Sequence, residues 1–390
     1  MSQIYNEMIM VSKMMNFFFF LSVIFLSSSF SLNEYQKTPK TIYNIRQIVS
    51  SYPEDKLIKN LRTFASCCKS GRLVGTGSHD KAYDQIKKMV QNYIDKRINI
   101  LDHEFSPDVD YAMMSYRDQL EKALEKGLER EGEDFKKIEH FANQRIGLLE
   151  ELRSTKGKNL IWEKRGNNKK AGTLILMAHY DNAVFKDTDK GKVVATESQM
   201  PGADKNASGV ALLLSLIEIL HQVDLPKTVR FVFLDFGEFE NLGAKAYVDR
   251  WKGFQSGEKV FGAINVMMVG HSSKNNHEND LEHDMRLYYK TTAEGSTEGL
   301  KFAKFIKKLG DQMGTPVNTE IGTWERPTGG QRYFWENDIP AFLYSHNWEL
   351  DSNPRVHTSN DFVETLNFKT LHGNLRYLSG AILAWAFELD

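Results

Sequence analysis

The sequence predicts an α/β fold: a mixed, largely parallel central sheet flanked by helices, with an inserted helical hairpin. Three observations predict it. Short apolar runs such as "GTLILMAHYD", "TVRFVFLDF" and "IPAFLYSHN" alternate with segments of helical spacing. One helical segment, "SGVALLLSLIEILHQV", is apolar nearly all round, which implies burial. From Tyr111 to Arg153 apolar residues recur at helical spacing in two charged stretches broken near Gly132.

In chain order, "NIRQIVSSYPEDKLIKNLRTFAS" has helical spacing, and an amphipathic helix follows from about Asp80 to Ile94. "RINILDHEF" is isoleucine-rich and closed by Pro107, so it reads as a first strand. The helical hairpin at about 111–153 then interrupts the strands. "NLIWEKRG", "GTLILMAHYD", "TVRFVFLDF", "GAINVMMVGH", "MRLYYKTT" and "IPAFLYSHN" supply further strands. "STEGLKFAKFIKKLG" and "LNFKTLHGNLRYLSGAILAWAFEL" supply late helices. Core elements lie on both sides of the insert, so one domain, 32–390, is expected rather than two.

The N-terminus reads as an export signal. Lys13 precedes the apolar run Met14 to Leu26, and Ser29 and Ser31 stand at a plausible cleavage spacing. The run is short for a bilayer span. Met1 to Ser31 is therefore expected to be removed, leaving a periplasmic or extracellular protein. The alternative is an uncleaved anchor, and only then does the chain meet a membrane. The only cysteines, Cys67 and Cys68, are adjacent, and disulfide geometry wants a wider Cα separation, so no bridge is expected. A formal net charge of −1 leaves no electrostatic footprint for nucleic acid.

In such sheets, sites form at the carboxyl ends of strands. His179 and Asp181 end one strand. Asp235, Glu238 and Glu240 follow another, and His271 a third. The loop "PGADKNASG" precedes the apolar helix, and "NPRVHTSND" places His357 before the last one.

These blocks resemble the co-catalytic zinc exopeptidases of metallopeptidase family twenty-eight, the bacterial leucyl aminopeptidase type. Glutaminyl cyclases and transferrin receptors are relatives. "GRLVGTGSHDKAYDQI", "AHYDN", "GADKNASGVALLL", "RFVFLDFGEFENLGAKAYV", "INVMMVG" and "VHTSNDFVETLN" match in order, from about Leu61 to the C-terminus. The resemblance implies a zinc exopeptidase-like fold. It also implies two zinc ions that share a bridging aspartate and a water, with a glutamate as base.

Carried over by position, His179 matches the first-zinc histidine and Asp181 the carboxylate that orients it. Glu238 matches a zinc ligand and His357 the second-zinc histidine, so the three retained ligands belong to two different zincs. Three positions depart. Lys205 stands where the bridging aspartate is expected, with Asp204 one place early. Gly237 stands at the base and Met267 at a first-zinc aspartate. Gly329, Gly330 and Gln331 replace the run that often precedes the family's phenylalanine.

A lysine ammonium about 4 Å from a zinc dication is repelled by about 8 kcal/mol at an effective dielectric near 20. That is a large part of the about 10–16 kcal/mol with which good structural sites bind zinc. The expectation is therefore a degenerate site, with zinc absent or substoichiometric and the Lys205 ammonium in the metal's place, paired with Glu238. The favoured function is non-catalytic binding of a peptide or protein ligand in the cleft. The alternative is an active metallo-aminopeptidase with an atypical site, rebuilt from Asp204, Glu240, His271 or Glu320. Convergence of any of these with His179 and His357 would favour it.

Overall fold

The computed structural model describes residues 39–389 except 69, 189–190, 196–198, 255–258, 274–282, 291–296 and 324–328. The expected signal, Met1 to Ser31, lies outside the described residues. Among the described residues no helix is long and apolar enough to cross a membrane.

Three helices open the chain: α1 (Ile42–Ser50), α2 (Glu54–Cys67) and α3 (Gly77–Val90). The hydroxyl of Thr76 accepts from the His79 amide, so α3 starts three residues before the expected Asp80. Next come β1 (Ile98–Phe105), the inserted pair α4 (Val109–Glu125) and α5 (Glu133–Glu151), and β2 (Gly157–Lys164). Strand β3 (Thr173–His179) is followed by a separate hairpin, β4 (Val184–Thr188) and β5 (Gly191–Ala195). Then follow α6 (Ser208–His221), β6 (Thr228–Leu234), α7 (Leu242–Phe254), β7 (Val260–Val266) and β8 (His283–Tyr289). The chain closes with α8 (Glu298–Asp311), β9 (Val317–Thr323), α9 (Gln331–Trp335), β10 (Ala341–His346) and α10 (Phe368–Phe387).

Eight strands form one sheet in the order β1-β2-β6-β3-β7-β10-β8-β9. The central run β6-β3-β7-β10 is parallel, as is β8-β9, while β1-β2, β2-β6 and β10-β8 are antiparallel. The mixed, mostly parallel sheet flanked by helices is the expected fold. The hairpin β4-β5 and the edge strand β9 were not legible. Their strands are short or partly exposed, and charged residues such as Lys186, Asp187 and Glu320 break the apolar pattern.

Alternation along β3 builds the two layers. Leu174, Leu176 and Ala178 face the larger core, with α1, α2, α3, α6, α8 and α10. Ile175 and Met177 face a smaller core with Tyr247 and Val248 of α7 and Phe334 of α9. Helix α6 lies between β3 and the helices α2 and α10, so no side of it meets water. Every residue from Ser208 to Leu220 is buried, which explains its near-continuous apolar sequence. Each fully buried leucine or isoleucine there contributes about 1.5–3 kcal/mol.

The inserted pair α4–α5 makes its own core. Ala112, Met113, Tyr116, Ala142 and Leu149 pack on Phe236, Phe239 and Leu242, the segment that follows β6. The insertion is thus fastened to the loop that bears Glu238. One expectation is corrected: Cys67 and Cys68 form a disulfide across adjacent residues. Their Cα atoms are 3.8 Å apart, the span of a single peptide unit. The usual separation for bridges between distant segments does not exclude a vicinal one.

Candidate functional site

The parallel neighbours β6, β3 and β7 end at one edge of the sheet. The loops leaving them carry Asp235 to Glu240, Asp181 and Met267 to His271. The loop before α6 brings Lys205 to the same place, with a cis peptide between Lys205 and Asn206.

His179 sits at the end of β3 with 2 % exposure. Its Nδ1 lies 3.0 Å from the carbonyl oxygen of Asp181 and 3.3 Å from that residue's Oδ1. Both are acceptors, so Nδ1 carries the proton and Nε2 presents a lone pair to the cleft. Asp181 also accepts from the amides of Gly237 at 2.7 Å and Glu238 at 2.9 Å. Burial pushes its carboxyl up, but the bonds and charges around it, His179 first, outweigh burial and hold it below the usual range.

The Lys205 ammonium fills the space in front of that lone pair. Nζ lies 2.9 Å from His179 Nε2, 3.1 Å from Met267 Sδ and 3.7 Å from Glu238 Oε1. The lysine side chain is 10 % exposed and the glutamate 5 %. Burial alone would raise the Glu238 carboxyl; the electrostatics of the groups that face it, the Lys205 charge first, bring it below its ordinary value. The structure therefore brings His179, Lys205, Glu238 and Met267 together around one buried ammonium.

His357 approaches from the other side. Its Nδ1 lies 3.1 Å from the Ala183 carbonyl and 3.8 Å from Glu238 Oε2, and its ring stacks on Phe185 at 4.5 Å. Burial lowers His357 to about 4, with Glu238 opposing and Lys205 adding to the shift. The ordinary value is about 6.5. The ring is then neutral in both folded and unfolded chains at neutral pH. As pH falls through about 6.5 the unfolded chain takes the proton first, so stability drops until about pH 4. Urea unfolding at about pH 7 and about pH 5 should show wild type losing about 2 kcal/mol more than His357→Gln. Asp361, raised to about 7 by burial and by Asp204, titrates with the opposite sign and cancels in that difference.

The residues named as candidates for rebuilding a site are engaged elsewhere. Asp204 accepts from the Gly270 amide and Ser208 through Oδ1 and from Asn353 through Oδ2. His271 pairs with Asp351 at 3.0 Å. Glu240 pairs with Arg332 at 2.9 Å and accepts from Ser115 and Gln119 of the insertion. Glu320 is exposed on the far edge strand β9. Gln331, with Gly329 and Gly330 before it, turns its Oε1 to Asn265. None of them joins His179 and His357. Among the described residues no three His, Cys, Asp or Glu side chains converge to hold a metal ion. The residues present do not fit the family's pair of zinc ions: an N–H of Lys205 takes the His179 lone pair, and the shared carboxylate has no counterpart.

Gly237 is held by packing as well as by position. A Cβ there would lie 2.3 Å from His179 Cγ. A glutamate at 237 would have to displace the histidine against which it should work.

Sequence reasoning missed several neighbours. Arg145 of α5 donates to the Glu238 carbonyl at 2.9 Å, and its guanidinium lies against Phe141, Phe185 and Phe239. Gln144 of the same helix accepts from the Val194 amide of β5. Helix α5 and the β4–β5 hairpin together roof the cleft. Arg72 donates to the carbonyls of Tyr180, Pro201 and Gly202, and Asp361 accepts from the amides of Asp204 and Lys205. These two hold the Lys205 loop, and only their place inside matched blocks hinted at it.

A family model described as Peptidase family M28 matches residues 159–381, more than half of the chain. The chain belongs to peptidase family M28. No curated protein matches it in sequence. Solved structures similar to this M28 chain include the LapA aminopeptidase of Legionella pneumophila. That likeness has 16 % identity and a TM-score of 0.59, and covers 89 % of this chain and 76 % of that one. The zinc aminopeptidase BSAP of Bacillus subtilis is similar at 15 % identity and TM-score 0.57, covering 85 % and 94 %. A glutaminyl cyclase of Bacteroides thetaiotaomicron is similar at 14 % identity and TM-score 0.55, covering 87 % and 99 %. At these identities the likeness is one of fold.

Proposed function

We propose that this M28 chain is a non-catalytic member of its family, exported from the cytoplasm, that binds a peptide or protein segment. One observation carries the reading: the Lys205 ammonium lies 2.9 Å from His179 Nε2 and 3.7 Å from Glu238 Oε1, between two groups that match zinc ligands of the family. The N–H to His179 uses the lone pair a metal would need. The charge on Lys205 balances the carboxylate that a metal would otherwise balance. Gly237 and Met267 add to the case, since neither offers a base or an oxygen ligand.

The partner is met at the mouth of the old cleft. There His357 is the part still reached by solvent, at 25 % side-chain exposure, with Phe185 stacked on it and α5 forming the wall. The roof favours a segment lying across the mouth over a free amino terminus driven to the bottom. Zinc has no place in this reading. Purified chain given leucine p-nitroanilide and added zinc is expected to show no turnover above buffer. Turnover that a chelator abolishes and zinc restores would overturn the proposal.

A further inference from the structure

We propose that the Cys67–Cys68 disulfide is a thiol-exchange site that takes a small anionic thiol at Cys67 and releases Cys68 as the thiolate. It is independent of the reading of the Lys205 site. The chain has no other cysteine, so the attacking thiol has to come from outside. The two sulfurs are unequal: Cys67 is partly exposed, whereas Cys68 is 1 % exposed. An incoming thiol reaches Cys67 first, and attack depends on which sulfur is accessible.

The bridge lies in an open depression of about 570 Å³ that Ser66, Ser70, Ser78 and Lys81 also line. Gly77, the first residue of α3, completes the wall. Thr76 caps the His79 amide, which leaves the Gly77 and Ser78 amides at the open end of the helix. That end carries partial positive charge, and Lys81 stands one turn along the same face. Both favour the approach of a thiolate to Cys67. The three hydroxyls supply hydrogen-bonding partners for a polar thiol such as a cysteine-containing peptide.

The chemistry balances. A thiolate attacks Cys67 Sγ, a new S–S bond forms to it, and the Cys67–Cys68 bond breaks. The electron pair leaves on Cys68 Sγ, which then equilibrates with solvent protons. A second thiolate attacking the mixed disulfide yields the oxidised thiol dimer and frees Cys67. Two thiols have then supplied two electrons.

The test treats the native full-length chain with reduced glutathione, quenches exchange with acid, unfolds the chain in urea to trap free thiols with N-ethylmaleimide, and maps both groups by peptide mass. The expected product carries glutathione on Cys67 and maleimide on Cys68. Lys81→Glu is expected to slow its formation at least about threefold. Lys88→Glu, at the far end of α3, should leave the rate unchanged. Three results would overturn the proposal: free thiols in the chain before any reductant, glutathione on Cys68, or no adduct on the native chain while the urea-unfolded chain reacts. An unchanged rate in Lys81→Glu would overturn the electrostatic part.

Discussion

Lys205→Met is expected to cost about 3–5 kcal/mol of stability, read by urea unfolding at neutral pH. Methionine keeps most of the side chain's length and removes the charge. Glu238 is then a buried carboxylate whose nearest cation is gone, and its Oε1 already accepts no hydrogen bond among the described residues. Breaking a buried pair from one side is the costly case, because it leaves a charge without compensation. Adding Glu238→Gln should return much of the loss, so the double variant falls well short of the sum of the singles. The pH dependence has a definite sign. Glu238 is held below its ordinary value of 4.5 in the folded chain. Its contribution is complete above that value and disappears as pH falls through the folded one, so the gap between wild type and Lys205→Met should narrow in acid. A solvated lysine would give a change of a few tenths of a kcal/mol.

Gly237→Ala is the second large effect, and its sign is informative. The backbone at Gly237 is outside the left-handed region, so an unhindered alanine would stabilise the chain by about 0.4–1 kcal/mol. Here the new Cβ would stand 2.3 Å from Cγ and 2.4 Å from Cβ of His179. His179 cannot easily yield, because Asp181 holds its Nδ1 and Lys205 its Nε2. The expected outcome is destabilisation by about 1–3 kcal/mol. Gly237→Glu, which restores the family's residue, should destabilise further and give no hydrolysis of aminoacyl anilides. A stabilised Gly237→Ala would show that His179 is free to move and that the three departures are not packed against one another.

The fold was legible where one physical demand dominates. Buried parallel strands and a helix covered on all sides leave continuous apolar sequence, and "TLILMAH" and "SGVALLLSLIEIL" have no other use. Part of the site's register was legible as well, because short stretches tie His179, Asp181 and Glu238 to the ends of β3 and β6. Counting along "GADKNASG" placed Lys205 in the cleft without coordinates. What packs across the site was not. Arg145 lies in a helix whose charged residues mostly face water, and nothing local separates it from Lys136 or Lys137. Its role comes from Phe141, Phe185 and Phe239, which meet only in three dimensions. The constraint on Gly237 likewise depends on where the His179 ring lies. The vicinal disulfide was misread because separation rules for bridges between distant segments were applied to neighbours.

The central claim is that the Lys205 ammonium holds the place of the family's metals. Metal analysis of the purified chain, dialysed against a slight excess of zinc and then against zinc-free buffer, tests it most directly. Lys205→Asp serves as the reference, since it removes the ammonium and returns a carboxylate to that position. The account predicts zinc well below one ion per chain for wild type. Two tightly held zinc ions per wild-type chain would contradict it.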